Sequence, residues 1–233
     1  MSSSFDTTQW TLVLQAACNQ TPAGVSALNQ LCRRYWKPLH GYACSRGYSP
    51  TDAEDVTQSF FQQLLARGMH AQADPERGRF RTFMLHAMRN FIANDRRDAS
   101  RLKRGGPEAL HLDLDDASHE RELTTSETPE TIYEQKWAQA VIAAAVERLR
   151  LEYEQAGHAA RFAVMRPLLS VRNDGDTEAM AAGLGVSVAN FRKLLHHFRH
   201  RFGDLVREEV RHLVTDPADV DDEIAHLMRA LAG

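Results

Sequence analysis

Apolar residues recur along this chain at intervals of three and four, the spacing that places side chains on one face of an α-helix. No stretch of useful length alternates between apolar and polar residues as a half-buried β-strand does. The segments with the helical pattern are residues 27–44, 49–65, 80–98, 130–155, 160–169, 177–184, 187–202 and 219–231. The pattern therefore predicts an all-α fold.

Two of the predicted helices have a clear apolar face and a clear polar face. In residues 80–98 the apolar positions are Phe80, Phe83, Met84, Ala87, Met88, Phe91 and Ile92. In residues 187–202 they are Phe191, Leu194, Leu195, Phe198 and Phe202, and the opposite face carries Arg192, Lys193, His196, His197 and His200. We expect both apolar faces to pack in a core, including the rings of Phe80, Phe83 and Phe91.

Local signals indicate where two of these helices begin. Ser49 suits an N-cap, a proline occupies the next position, and Asp52 follows the cap by three residues. Further along, Gly185 suits a tight turn and Ser187 suits a second N-cap. Residues 177–202 therefore have the layout of a helix-turn-helix.

A change in composition separates two predicted modules. Residues 104–107 read Arg-Gly-Gly-Pro, and the acidic run that follows has little apolar content, as flexible linkers do. We predict a first module over residues 1–104, a linker over 105–129, a second module over 130–214 and an acidic helical extension over 215–233.

Charge is distributed unevenly in a chain whose formal net charge is −3. Arg and Lys dominate residues 77–104, whereas Asp and Glu dominate residues 107–134 and the C-terminal tail. A basic region inside an acidic chain indicates a local contact with a polyanion rather than a generally adhesive surface.

Composition and the terminal sequence predict a cytoplasmic globular protein without a membrane partner. Hydrophobic residues make up 43% of the chain, and no apolar run approaches the roughly 20 residues needed to cross a bilayer. The N-terminus lacks the basic start and apolar core of a secretion signal. Cys18, Cys32 and Cys44 are odd in number and lack C-x-x-C spacing, so we expect reduced thiols rather than disulfides or a metal site.

Residue patterns typical of enzymes are missing from the sequence. It contains no phosphate-binding glycine loop, no nucleophile elbow and no complete set of metal ligands. His196 and His200 have the i, i+4 spacing of a zinc-binding helix, but the glutamate and the third ligand of such a site are lacking. We therefore expect no enzymatic activity, no cofactor, no metal and no small-molecule substrate.

The polar face of residues 187–202 has two interpretations. Basic side chains near the N-terminus of a helix can enter a DNA major groove and reach base edges and phosphates. The same pattern also suits a core helix that turns its charges to solvent, and this helix alone does not decide between the two.

Two strings, taken with the helix-turn-helix, carry a family resemblance. Residues 52–65 read DAEDVTQSFFQQLL and residues 78–97 read GRFRTFMLHAMRNFIANDRR, an acidic helix followed by a basic aromatic one. Together they resemble the extracytoplasmic-function group of the sigma-70 family of RNA polymerase sigma factors, over residues 27–104 and 130–214. The T-T-Q-W string at residues 7–10 and the acidic C-terminal extension are similar to the branch of this group that is paired with Ser/Thr protein kinases.

The resemblance implies a bacterial transcription-initiation factor whose partners are core RNA polymerase and promoter DNA. The acidic helix would dock on the clamp coiled coil of the largest polymerase subunit through Asp52, Asp55, Gln58, Ser59 and Gln62. The basic helix and its start would melt and read the promoter −10 region through Arg79, Arg81, Arg89, Asn90, Arg96 and Arg97. The helix-turn-helix would read the −35 region through Arg192, Lys193, His196 and His197.

Two other functions fit parts of the pattern. A helix-turn-helix regulator that acts without core polymerase would leave the acidic and basic helices unexplained, and it would usually dimerise on paired half-sites. A helical protein-interaction adaptor would use its acidic segments on basic partners and would show no salt-sensitive DNA binding.

One position departs from the family pattern and suggests regulation. Family members usually carry an acidic residue directly after the glutamine of D-A-E-D-x-x-Q, where this chain has Ser59. We expect a Ser/Thr kinase to restore charge by phosphorylating the docking helix, at Thr51 in preference to Thr57. Thr51 lies in the first turn, where the helix N-terminus favours a phosphate of about −1.5 to −2 charge, whereas Thr57 projects between Phe61 and Leu64.

Overall fold

The computed structural model describes residues 22–66, 79–103, 128–169, 176–214 and 216–232. Its α-helices are α1 (Pro22–Ser45), α2 (Pro50–Ala66), α3 (Phe80–Lys103), α4 (Pro129–Gln155), α5 (Ala159–Met165), α6 (Thr177–Gly183), α7 (Val188–Arg211) and α8 (Val220–Ala232). No strand occurs among the described residues, and the predicted all-α fold is confirmed. The T-T-Q-W string at residues 7–10, Cys18 and nearly all of the predicted linker lie outside the described ranges.

Several predicted helix ends differ from the structure: α1 begins at Pro22 rather than residue 27, and α3 ends at Lys103 rather than residue 98. The helix predicted to end at residue 202 continues through Gly203 to Arg211, and Leu205 extends the buried face that carries Phe191 and Phe198. The segment predicted as one helix over residues 160–169 is α5 followed by a 3₁₀ turn, Arg166–Leu169. Pro167 lies in that turn, and since proline has no backbone N–H it cannot continue the α-helical hydrogen bonding.

The chain forms two compact units, Met1–Ala138 together with His226–Gly233, and Gln139–Ala225. The boundaries between the units fall within α4 and within α8. The division into functional modules that the sequence analysis made, at residues 104, 129 and 214, stays a prediction. Within the part of the chain that the structure describes, no helix is both long enough and apolar enough to cross a membrane.

The core of the first unit is rich in aromatic rings. Its largest fully buried side chains are Tyr35, Leu39, Tyr42, Phe60, Phe80, Met84, Met88, Tyr133 and Trp137, from α1, α2, α3 and the beginning of α4. The rings of Tyr35 and Phe80 meet edge to face, with their centroids 5.4 Å apart. At Gly41, a Cβ atom would lie 3.1 Å from Cγ of Lys136, so this glycine permits the close approach of α1 to α4.

The core of the second unit is built on α7. Phe191, Leu195, Phe198 and Leu205 of this helix are buried with Leu149 of α4, Met165 of α5 and Ala181 of α6. The ring of Phe198 meets that of Tyr153 edge to face at a centroid distance of 5.2 Å. Residues of the apolar stripe predicted for this helix therefore hold α7 to its unit.

Ion pairs join α4 to α7 beside this core. Arg148 contacts Glu208 at 2.5 Å and Glu209 at 3.0 Å, and Arg201 contacts Glu152 at 2.6 Å and Glu208 at 3.0 Å. The hydrogen bond from Arg201 lowers the pKa of Glu152. Burial raises the pKa of Glu208, but hydrogen bonds from Arg201 and Arg148 outweigh it and bring the pKa below its usual value.

Acidification is expected to weaken the second unit through these carboxylates. Because the pKa values of Glu152 and Glu208 are lower in the folded state than the usual 4.5, their ion pairs stabilise the fold fully above that pH. That contribution is lost as the pH falls through the folded-state pKa values. Thermal unfolding followed by circular dichroism below about pH 4.5 should therefore depend less steeply on pH in Arg201→Gln than in wild type. Glu178→Gln, at an exposed acid of α6, is the control, and an unaltered slope in Arg201→Gln would contradict the expectation.

Candidate functional site

Helix α2 presents a polar face opposite an apolar one. Its buried side chains include Ala53, Phe60, Phe61 and Leu64, and its exposed side chains include all of the candidate polymerase contacts, Asp52, Asp55, Gln58, Ser59 and Gln62. The helix start has the predicted cap: the backbone N–H of Asp52 donates to Ser49 Oγ at 3.2 Å, and that hydroxyl donates to Asp52 Oδ2 at 2.6 Å. The five candidates therefore share one accessible surface.

The two candidate phosphorylation sites lie in opposite environments. Thr51 is exposed in the first turn of α2. Thr57 is fully buried, and its Oγ1 has no hydrogen-bond partner among the described residues. A phosphate on Thr57 would place a charge of about −2 in an apolar core, and a kinase would reach that hydroxyl only if the helix unfolded. Of the two hydroxyl-bearing side chains, Thr51 is the accessible one.

Helix α3 turns a polar, mainly basic face to the surface. The candidate DNA contacts Arg89, Asn90, Arg96 and Arg97 are exposed, and Arg79, just before the helix, is half-buried. The structure thus places these side chains where a polyanion can reach them.

The aromatic residues of α3 face the interior to different extents. Phe80 is fully buried, whereas Phe83 and Phe91 are partly exposed. Each of the latter packs on another ring: Phe83 stacks on Phe80 at 5.7 Å, and Phe91 meets Phe60 edge to face at 5.8 Å. Phe80 and Phe91 therefore pack between helices, whereas Phe83 stacks on a ring of its own helix, and part of the Phe83 and Phe91 surface is open.

Arg81 differs from the other candidate DNA contacts because it is buried, with a relative exposure of 7%. Its Nε lies 3.1 Å from Glu134 Oε2, and its guanidinium lies over the ring of Trp137, 4.7 Å from the centroid. A guanidinium that is paired and covered in this way contributes to packing within the first unit. Its burial takes Arg81 out of the surface that DNA can reach.

The structure also brings to α3 a turn that the sequence analysis did not assign to the site. Arg96 Nη2 donates to the carbonyl oxygen of Arg46 at 2.6 Å, and its guanidinium lies 5.4 Å from the ring centroid of the half-buried Tyr48. Gly47 between them has φ +93°, a conformation that glycine adopts without strain. An aromatic ring and basic side chains thus lie together beside the exposed face of α3.

The pKa of the buried Tyr42 hydroxyl depends on its burial and on charged side chains from more than one helix. Burial raises the pKa of its hydroxyl, Glu130 raises it further, and Arg46, Arg89 and Arg96 oppose these effects. The pKa of Tyr42 stays above its usual value because burial and Glu130 outweigh the three arginines. We call Arg46, Tyr48, Arg89 and Arg96 the basic–aromatic cluster. Nothing in the sequence pairs Arg46 with Arg96, since the two are 50 positions apart.

The structure has the predicted turn between α6 and α7 and the predicted cap at Ser187, and Asp176 caps α6 in addition. The Asp176 side chain accepts from the backbone N–H of Ala179 at 3.0 Å, and Ser187 Oγ accepts from that of Asn190 at 3.3 Å. Gly185, in the turn, has φ +65°. These contacts fix the start of α7, and the four candidate DNA contacts that follow, Arg192, Lys193, His196 and His197, are all exposed.

The histidines of α7 do not form a metal-binding group with other side chains. His200 Nδ1 lies 3.1 Å from Asp204 Oδ2 on the same helix, and the rings of His196 and His197 are 6.0 Å apart. No group of three or more His, Cys, Asp or Glu side chains suited to a metal ion occurs among the described residues. The polar face of α7 is thus a row of basic and imidazole side chains at the surface.

Comparison with known proteins finds a family match over the segment that carries α2 and α3. Residues 31–102 match the family model of Sigma-70 region 2, a span that includes all of α2 and all but the last residue of α3. No significantly similar protein is found among curated proteins or among solved structures. The match supports a sigma factor of the sigma-70 family, with a role in transcription initiation and with core RNA polymerase and promoter DNA as partners.

Proposed function

We propose, proceeding from the sigma-70 region 2 match, that this chain is an extracytoplasmic-function sigma factor that directs promoter-specific transcription initiation in the bacterial cytoplasm. The observation that carries the proposal is that one matched segment contains both an exposed acidic helix, α2, and an exposed basic helix, α3. In this proposal residues 1–104 bind core polymerase and the −10 region, residues 130–214 read the −35 region, and the chain itself catalyses no reaction.

Docking on core polymerase is assigned to the polar face of α2. Asp52 and Asp55 supply the negative charge, and Gln58, Ser59 and Gln62 extend the surface with hydrogen-bonding groups. A rigid helix that already presents these groups loses little conformational freedom when a basic surface binds it. The face therefore suits a positively charged helical partner, as the clamp coiled coil of the polymerase would be.

Promoter melting is assigned to the exposed face of α3 together with the basic–aromatic cluster. Single-stranded DNA is held by cationic side chains along its backbone and by aromatic or guanidinium planes against its bases. Arg79, Arg89, Asn90, Arg96 and Arg97 provide charge and hydrogen bonds, and Arg46 and Tyr48 enlarge this surface. Arg81 is left out of the DNA-facing set because it is buried.

Recognition of the −35 region is assigned to α7 as the second helix of a helix-turn-helix. Its N-terminus is held by the Ser187 cap, and its apolar side is anchored by Phe191, Leu195 and Phe198. Such anchoring leaves Arg192, Lys193, His196 and His197 free of core packing, so they can reach base edges and phosphates in a major groove.

Activation is assigned to a Ser/Thr protein kinase that modifies Thr51. The side chain is exposed in the first turn of α2, close in sequence to Asp52 and Asp55. A phosphate at this position is favoured by the helix dipole and adds negative charge to the proposed docking face, where Ser59 leaves it incomplete.

Glutamate at position 51 is expected to strengthen capture of core polymerase by about twofold to fivefold, the range typical of one exposed charge pair. The measurement is the equilibrium binding of purified core RNA polymerase to Thr51→Glu, compared with wild type. Thr51→Gln has the same size without the charge and should bind as wild type does. Equal binding by the Glu and Gln variants would contradict charge restoration at this site.

Capture of core RNA polymerase by the full-length chain tests the proposed function as a whole. Binding, followed by transcription from a promoter that the core enzyme cannot use alone, is the expected result. Salt-dependent binding to duplex DNA without any capture of core polymerase would instead indicate a helix-turn-helix regulator. Failure to bind either core polymerase or duplex DNA would instead indicate a helical protein-interaction adaptor.

A further inference from the structure

The carboxylate of Glu134 is shared between two elements of the first unit. Its Oε2 lies 3.1 Å from Nε of Arg81, in the first turn of α3, and 2.9 Å from Nε2 of His226, on α8. Glu134 and His226 are 92 positions apart in the chain. A charged acceptor with two donors is held more firmly than one with a single donor, since each such bond resists the rotation of its side chain.

The ring of Trp137 packs beside both side chains that contact Glu134, Arg81 and His226. Trp137 is buried, the guanidinium of Arg81 lies 4.7 Å from its ring centroid, and the ring of His226 lies 5.9 Å from it. Leu227, next to His226, is fully buried. Arg81 and His226 therefore meet the same carboxylate and the same indole, so the position of one side chain restricts the other.

The backbone of α3 is held at the same residue. The hydroxyl of Tyr133 donates to the carbonyl oxygen of Arg81 at 2.9 Å, and both groups are buried. Because the side chain and the carbonyl of Arg81 are both bound by residues of α4, the first turn of α3 has little freedom to rotate about its own axis.

From these contacts we propose that α8, the acidic C-terminal helix, is a positioning element for α3, and that His226 acts on α3 through Glu134 and Arg81. The extension is then an intramolecular brace for the helix that carries Arg89, Asn90, Arg96 and Arg97. His226 itself contacts no DNA. Its contribution is to keep Glu134 on Arg81, and so to keep the exposed face of α3 in one orientation.

The structural part of this proposal is tested on the free full-length chain by amide hydrogen exchange. His226→Ala removes a hydrogen bond to a charged group and should raise the exchange rate of the amides of residues 83–88 by about tenfold. His226→Gln restores a donor that can reach Glu134 and should return the rate to near that of wild type. Met228→Ala, at a side chain that is 59% exposed on the same helix, is the matched control and should change nothing in α3.

The functional part rests on the proposed role in promoter opening and uses a second readout. With core polymerase bound, His226→Ala should slow promoter opening while its binding to core polymerase stays at the wild-type level, and His226→Gln should restore opening. If wild type itself fails to bind core polymerase, the proposed function is wrong, and the exchange result still tests the brace.

Two results would overturn the proposal that α8 positions α3. In the first, exchange in residues 83–88 is the same in His226→Ala and wild type. In the second, the amides of residues 83–88 exchange as fast in His226→Gln as in His226→Ala. That result would mean that the packing of the imidazole stabilises α3 and that its hydrogen bond to Glu134 does not.

Discussion

Core RNA polymerase is expected to bind the double variant Asp52→Asn, Asp55→Asn at least about tenfold more weakly than wild type. Both carboxylates are exposed on the polar face of α2, and the substitutions keep size and hydrogen-bonding capacity while removing charge. Asp52 also accepts from the Ser49 hydroxyl, a bond that asparagine can retain through its side-chain oxygen. The loss should therefore reflect electrostatic attraction to a basic partner and should diminish at high salt.

The double variant Asp219→Asn, Asp222→Asn is the control for net charge. These residues are exposed in the C-terminal segment and outside α2, and their replacement changes the formal charge by the same amount. It should bind core polymerase as wild type does. Equal weakening by both double variants would show that overall charge matters, and would argue against a docking face on α2.

Trp137→Ala is expected to destabilise the first unit by about 3–5 kcal/mol, the usual cost of removing a large buried ring. Trp137 is 1% exposed and lies against Arg81 and His226. Its removal leaves a cavity and exposes a buried guanidinium that had been covered by the indole. Since small proteins are stable by about 5–15 kcal/mol, the loss is a large part of the total. Urea unfolding monitored by far-ultraviolet circular dichroism measures it.

Leu151→Ala provides the comparison on the same helix. Leu151 is 42% exposed, so truncation should change the free energy of unfolding by no more than about 0.5 kcal/mol. If Trp137→Ala were as stable as Leu151→Ala, then Trp137 would not complete the core of the first unit.

Helix α2 shows which features can be predicted from sequence patterns. The cap at Ser49 and the alternation of buried and exposed faces along α2 follow from the order of residues, because both depend on neighbours within one or two turns. The same holds for α7, whose buried and exposed faces were predicted from spacing alone. Its end was not predicted, because continuation through Gly203 depends on core partners of Leu205 that come from elsewhere in the fold.

The burial of Arg81 could not be predicted from such patterns. In sequence it is one of several arginines in a basic segment, and charge alone gives no reason to separate it from Arg89 or Arg96. Its burial depends on Glu134, 53 positions later, and on the ring of Trp137. Both partners lie beyond residue 129, in the second predicted module. Arg46 and Tyr48 were missed for the same reason, because their link to Arg96 spans the length of two helices.

By itself, the sequence determined the helical class, the approximate extent of the helices, the polar faces of α2, α3 and α7, and the resemblance of residues 52–97 to a sigma factor. Tertiary structure alone decided which basic side chains remain at the surface, which threonine is accessible, and that the end of α8 packs in the first unit beside Glu134 and Trp137. The physical reason is the range of the interactions. Helical periodicity and caps act between near neighbours, whereas burial and ion pairing depend on residues that only the fold brings together.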